Sequence, residues 1–168
     1  KIKNRYNNID LIYSANTLTH ISDLDNVFHS IKNVLSDNGI LIIEDPSLLE
    51  CINKNAYDHF YNEHFYVFSY LGLSNVLKKN KLKIYKVENI DVHGGSLRYY
   101  IVKENLKIKI QKSVNNQKKL ELRKGLHKLS TYQKFAKKIQ LSKKRLKKIF
   151  KKIKDKKEKI IGYGATAK

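Results

Sequence analysis

Apolar residues recur along this chain in two rhythms, and the changes between them lay out its elements. Residues 9–14 (IDLIYS) and 40–43 (ILII) are short, mostly apolar runs rich in β-branched side chains, which predicts two buried strands. Between them Leu24, Val27, Phe28, Ile31, Val34 and Leu35 recur every three or four residues, the spacing of one helix face. Ser22 is the candidate N-cap, with Asp25 three residues on, and Asp37-Asn38-Gly39 is the expected stop. Strand, helix, strand with tight turns predicts a parallel pair joined by a right-handed crossover. Continuous apolar strands predict a sheet covered on both faces. This is half of a doubly wound α/β domain, and the other half is expected upstream.

Further along, residues 48–54 predict a short helix and residues 69–80 a longer one carrying Leu71, Leu73, Val76 and Leu77. Residues 82–90 alternate, and residues 97–102 (LRYYIV) form a second β-rich run. Two such runs joined through Gly94-Gly95 predict a hairpin. From about Leu120 to Ile153 the rhythm becomes helical through Leu122, Leu126, Leu129, Tyr132, Phe135, Ile139, Leu146 and Ile149, with Lys on the other faces. Gly125 weakens its start, and Gln140–Ser142 is a candidate break. This pattern predicts an amphipathic connector between two bodies. Residues 159–162 open a new strand, followed by a Gly-rich turn. The chain does not begin with Met and stops as that motif opens, so it reads as a fragment.

The candidate chemistry lies in residues 57–69 (YDHFYNEHFYVFS). Tyr61, Glu63 and His64 fall within four residues, among Phe60, Phe65, Tyr66 and Phe68. A phenol, a carboxylate and an imidazole among aromatics are what a proton-abstracting site needs: the aromatics exclude water, and the carboxylate fixes the imidazole tautomer. The same composition also serves a purely structural Tyr-His-Glu hydrogen-bond cluster. Ser14, Ala15 and Asn16 end the first strand at a carboxyl edge, where open α/β sheets bind ligands.

Charge adds a second candidate. The net charge is +20, and residues 103–168 carry all of it, with 24 Lys and Arg against 4 Asp and Glu. Such a block is a possible footprint for nucleic acid. It is nearly all Lys, in a chain also rich in Asn and Ile, which points instead to compositional drift absorbed by exposed helix faces. It also lacks the aromatic interleaving of single-strand binders. The single cysteine, Cys51, excludes an internal disulfide and a cysteine-based metal site in this segment. With no long apolar run and no signal-like start, a cytoplasmic protein without membrane partners is expected.

Taken together, residues 14–20 (SANTLTH), 44–49 (EDPSLL), 61–69 (YNEHFYVFS), 93–98 (HGGSLR), 125–136 (GLHKLSTYQKFA) and 162–168 (GYGATAK) resemble the SAM-dependent nucleotide-sugar C-methyltransferases, which make branched deoxysugars. The resemblance spans almost the whole chain. It implies a three-part protein: an N-terminal zinc-binding part, a central Rossmann-like domain binding S-adenosylmethionine (SAM), and a C-terminal Rossmann-like domain. Residues 1–110 would be the back half of the central domain, 111–156 the helical connector, and 157–168 the start of the last domain. The zinc part and the SAM Gly-rich loop would lie outside, so no metal ligand falls in this chain.

The implied reaction is methylation of the carbon beside the ketone of a nucleotide-linked 4-keto-6-deoxy sugar. A base removes the acidified proton, and an unperturbed imidazole titrates at a pKa of about 6.5. By the resemblance His64 is the base, and Glu63 and Tyr61 orient it and bond the sugar or its enolate oxygen. His20 faces the same pocket. His93, Gly94, Gly95, Ser96 and Arg98 form a substrate loop, and Ala15 and Asn16 lie beside SAM. Gly162, Tyr163, Gly164 and Lys168 meet the nucleotide diphosphate. Asn62 stands where the family often has histidine, which puts that side chain's role in doubt. His29, His59 and His127 read as structural or surface residues. Two alternatives remain beside this reading: the same fold with a different methyl acceptor, and a basic nucleic-acid-binding module.

Overall fold

The computed structural model describes residues 8–164. They divide into two compact units after His127. The first holds a four-stranded sheet: β1 (Ile9–Ala15), β2 (Leu35–Pro46), β3 (Leu82–Ile90) and β4 (Ser96–Lys103), in the order β1-β2-β4-β3. β1 and β2 are parallel, as the strand–helix–strand reading requires. β4 runs antiparallel to both β2 and β3, so the expected Gly-Gly hairpin forms and inserts its second strand beside β2.

Helix α1 (Leu24–Val34) connects β1 to β2. Its cap is Asp23, whose carboxylate accepts from the Asn26 amide at 3.0 Å; Ser22, the expected cap, instead offers its carbonyl to the Tyr66 hydroxyl at 2.7 Å. The helix ends at Val34, before the Asp37-Asn38-Gly39 stop read from the sequence. Leu35 is already extended, and residues 35–39 belong to β2 as an irregularity between the pairs Ile9–Leu35 and Leu11–Ile40. Gly39 is what lets them fit: a Cβ there would stand 2.7 Å from the Ile9 carbonyl oxygen.

Helices α2 (Leu48–Lys54), α3 (Tyr70–Lys79) and α4 (Lys112–Arg123) follow. Leu24 and Phe28 of α1, Leu73 and Leu77 of α3 and Val114 of α4 share one core with Leu41, Ile43, Leu82, Val87, Leu97, Tyr99 and Ile101 of the sheet. Full burial of a side chain such as Phe28 contributes about 2–3 kcal/mol.

Among the described residues that core lies against one face of the sheet. Several of the alternate positions carry a polar ladder. Arg98 reaches Glu44 at 2.8 and 3.0 Å, Tyr13 donates to the same Glu44 oxygen at 3.1 Å, and Tyr100 donates to Glu88 at 2.6 Å. β1 pairs only with β2 among the described residues, and Leu11 and Tyr13 on it are more than half exposed.

α4 packs into the first unit with Val114, Gln117 and Glu121 buried. The helical stretch read as one connector is therefore two helices. They separate at residues 124–128, where Gly125 takes φ 75°, a left-handed conformation that glycine adopts without a Cβ penalty. The second unit holds α5 (Leu129–Asp155), 27 residues with no break at Gln140–Ser142. Residues 159–162, expected to open a strand, make no strand pairing. A strand needs a hydrogen-bonded neighbour, and the described residues give them none.

Candidate active site

The carboxyl ends of β1 and β2 open onto the same edge of the sheet, and the candidate residues gather there. After β1 the chain turns left-handed at Asn16 (φ 49°), then forms the 3-10 turn Leu18–His20. After β2 it enters α2 and the 3-10 turn Tyr57–His59, passes through the aromatic stretch and returns to the sheet. A bridge between Ser47 and Phe68, with the Leu48 amide donating to the Phe68 carbonyl at 2.8 Å, closes this excursion. Its far end is tied to the first turn: the Phe65 amide donates to the Thr19 carbonyl at 2.9 Å.

These ties bring three of the four catalytic candidates together. The His20 and His64 rings lie edge to face at 4.7 Å between centroids, and the Tyr61 and His64 rings lie tilted to each other at 4.2 Å. The Tyr61 hydroxyl is 3.1 Å from His64 Nε2, while His64 Nδ1 is 2.8 Å from the His59 carbonyl oxygen. A carbonyl can only accept, so Nδ1 carries the proton. In the neutral ring Nε2 is then a lone-pair acceptor facing the phenol. His20 repeats the arrangement, its Nδ1 donating to the Glu63 carbonyl at 3.1 Å.

Two expectations change here. The tautomer of His64 is set by a backbone carbonyl rather than by a carboxylate, and Glu63 enters the cluster through its own carbonyl, bonded to His20. His59, read from the sequence as structural, is buried and supplies the acceptor that orients the candidate base. No side-chain pattern could have revealed it, because the contact is made by the main chain. The aromatic packing also differs: Phe68 is buried, but Phe60, Phe65 and Tyr66 are exposed, and His64 is half-buried.

The hairpin tip meets the same edge. His93 takes φ 50°, and its Nε2 lies 3.3 Å from Asn16 Nδ2, so a residue expected near substrate touches one expected near SAM. Gly95 (φ 118°) passes so close to α2 that a Cβ would stand 2.9 Å from Glu50 Cγ; Lys54 donates to the Gly94 carbonyl at 2.6 Å. Ser96 and Arg98 do not belong to the loop. Ser96 is buried, its hydroxyl donating to the Val92 carbonyl, and Arg98 stands within β4, opposite Glu44 in register. The strand starts one residue after Gly95, which leaves only residues 93–95 at the tip. Gly162, Tyr163 and Gly164 lie in the second unit, outside any helix or strand, with Tyr163 fully exposed; Lys168 lies outside the described residues.

Burial also shapes the groups beneath the edge. Asp45, at the end of β2, is fully buried, and its carboxyl is pushed up to about 7, first by burial and then by the neighbouring Glu44 charge. Burial likewise pushes the Cys51 thiol up to about 11, which leaves it protonated and inert. Among the described residues no group of three or more His, Cys, Asp or Glu is placed to hold a metal ion, and no helix is long and apolar enough to cross a membrane.

A half-sheet with its candidate groups at the carboxyl edge is an arrangement shared by many α/β enzymes, and comparison with known proteins narrows it. The methyltransferase domain family matches residues 2–87, and the C-terminal domain of the C-methyltransferases matches residues 91–168. The chain belongs to the methyltransferase domain family, and its mixed α/β sheet is part of that methyltransferase fold.

Among individual proteins, C-methyltransferase NovU of Streptomyces niveus is 25% identical over all 168 residues. The chain spans 40% of NovU's length. Among solved structures it is similar to magnesium protoporphyrin IX methyltransferase (ChlM) from Synechocystis PCC 6803 with bound SAH, at TM-score 0.45 and 13% identity over 61% of this chain and 48% of that one. It is also similar to PKMT2 from Rickettsia typhi in complex with AdoHcy, at TM-score 0.45 and 11% identity, over 66% and 38% of the two chains.

Proposed function

We propose that this chain is part of a SAM-dependent C-methyltransferase that methylates the carbon beside the ketone of a nucleotide-linked 4-keto-6-deoxy sugar. The observation that carries the proposal is the His64 imidazole, with Nδ1–H committed to a carbonyl and Nε2 facing the Tyr61 phenol beside His20. A ring held in this tautomer presents one basic nitrogen in a set direction, which is what abstraction of a carbon-bound proton requires.

The chain's own residues divide the work. His64 Nε2 takes the proton from the carbon, and the C–H electron pair moves into the enolate. Tyr61, which donates to Nε2 before substrate binds, turns its hydroxyl to the developing oxyanion and frees the nitrogen. His20 borders the same space. The carbon then forms its new bond, and the proton on His64 passes to water. SAM, when bound, supplies the methyl group as an electrophile and departs as a neutral thioether. Ala15 and Asn16 fit its neighbourhood: Asn16 turns left-handed across the end of β1 and leaves an exposed polar side chain at the carboxyl edge. His93, Gly94 and Gly95 would bring close backbone and an imidazole to the acceptor, and Gly162, Tyr163 and Gly164 are assigned to the nucleotide diphosphate on the resemblance of GYGATAK alone.

The test is His64→Asn in the full-length protein. Methyl transfer to a 4-ketosugar nucleotide falls by roughly 10²–10⁴-fold, the usual contribution of a positioned base, while SAM affinity stays unchanged. Retained turnover overturns the assignment.

A further inference from the structure

The tip of the β3–β4 hairpin is a turn that its own residues do not favour. The Gly95 amide donates to the Val92 carbonyl at 2.8 Å, closing a four-residue turn with His93 (φ 50°) and Gly94 (φ 79°) at its centre. Positive φ at both central residues is the pattern of a type I′ turn, which favours Asn, Asp or Gly at the first of them. Histidine stands there instead, exposed and in a conformation uncommon outside glycine. A turn needed only to join two strands gains nothing from that choice. A side chain kept in such a conformation at a candidate site needs support from its surroundings.

Helix α2 supplies it. The Lys54 ammonium donates to the Gly94 carbonyl at 2.6 Å and is held by the Glu50 carboxylate, one helical turn back, at 3.2 Å. The Ser47 amide, just ahead of the helix, donates to the Gly95 carbonyl at 3.1 Å. Both carbonyls that follow His93 are therefore captured from the α2 side. The two side chains also lie against Gly95, where a Cβ would stand 2.9 Å from Glu50 Cγ and 3.3 Å from Lys54 Nζ. The helix is a fixed support, because Leu49, Cys51 and Ile52 on it are buried.

On the other side of the turn, His93 Nε2 lies 3.3 Å from Asn16 Nδ2. An amide nitrogen can only donate, so the ring turns its Nε2 lone pair to the end of β1. The same short helix serves the candidate base. It ends in Asn55 and runs into the turn Tyr57–His59, whose last carbonyl orients His64. One element thus carries both the support of His93 and the segment that sets His64.

We infer that Lys54 is a positioning residue for the methyl acceptor: its ammonium pins the 93–95 turn to α2 and so holds the His93 imidazole at the carboxyl edge of the sheet. The inference rests on the proposed function for the identity of the acceptor, while the latch itself stands on the contacts of Lys54. The exposed ion pair with Glu50 contributes little by itself, and its effect is to aim the ammonium. The hydrogen bond to the Gly94 carbonyl is charge-assisted, and without it the turn is tied to α2 by the Ser47 amide alone.

The experiment compares Lys54→Met, which keeps the length of the side chain and removes the ammonium, with Lys54→Arg in the full-length protein. Amide hydrogen exchange reads the turn, and steady-state kinetics read the acceptor. In Lys54→Met, protection falls at the Gly95 and Ser47 amides, which close the turn and tie it to α2. KM for a 4-ketosugar nucleotide rises about tenfold with kcat nearly unchanged, the size of one hydrogen bond to a charged group. Lys54→Arg, which also donates, keeps both readouts near the parent. His93→Ala raises KM, and adding Lys54→Met to it raises KM no further, because Lys54 acts through the imidazole. Unchanged amide protection in Lys54→Met overturns the inference. So does protection that falls with no change in KM, or a KM effect that persists in full beside His93→Ala. A parent protein that leaves the ketosugar unmethylated overturns the proposed function instead, and the amide readout then decides the latch by itself.

Discussion

His20 and His64 share one device: each ring donates Nδ1–H to a backbone carbonyl and so keeps Nε2 as the basic nitrogen. The side chains that gather at the edge, His20, Tyr61 and His64, were legible in the sequence because titratable side chains announce themselves. Their orientation was not, because main-chain carbonyls of His59 and Glu63 supply it and any residue carries a carbonyl. Glu63 shows the limit: its acidity drew attention, but its carbonyl makes the contact. Tyr61 is the side chain with a separable role. Tyr61→Phe removes the donor to Nε2 and to the developing oxyanion, and kcat is expected to fall about 10²–10³-fold with KM little changed. Steady-state kinetics on the full-length protein check this, and a change confined to KM would assign Tyr61 to substrate binding alone.

At the scale of elements, the strands were read from unbroken apolar runs and the hairpin from Gly94-Gly95, where positive φ at both glycines makes the turn. The misreadings have separate causes. Asp37-Asn38-Gly39 has the composition of a helix stop, but it lies between the pairs Ile9–Leu35 and Leu11–Ile40 and is carried into β2 as an irregularity. Leu122 and Leu126 continue a helical rhythm, yet Gly125 divides it. The sequence also hid the anchor of α4. Glu121 is fully buried and accepts the Tyr70 and Leu71 amides at 2.8 and 3.0 Å and the Gln117 amide at 2.9 Å. It places a carboxylate at the N-terminus of α3, where unsatisfied amides and the helix dipole favour negative charge. Glu121→Leu leaves those amides unpaired and is expected to cost about 3 kcal/mol, read as a lower denaturation midpoint. A midpoint within about 0.5 kcal/mol of the parent would show that α4 is held by its apolar contacts alone.

For the whole molecule, charge and chemistry separate. The balanced region through residue 102 bears the histidine cluster, while residues 103–168 bear the +20. In the second unit Lys lines α5 beside half-exposed Leu141, Leu146, Ile149 and Phe150, a solvated amphipathic face rather than a reading surface of arginines and stacked aromatics. Weak, steeply salt-dependent nucleic-acid binding that vanishes at physiological salt is therefore expected in a fluorescence titration. Sequence-selective binding surviving at that salt would favour the alternative reading. The central claim is the proposed removal of a proton by His64, and it is tested without SAM. The full-length protein is incubated in heavy water with a 4-ketosugar nucleotide, and deuterium at the carbon beside the ketone is followed by NMR. The account predicts steady incorporation with His64 present and none above the uncatalysed rate in His64→Ala. Equal incorporation by both proteins would contradict it.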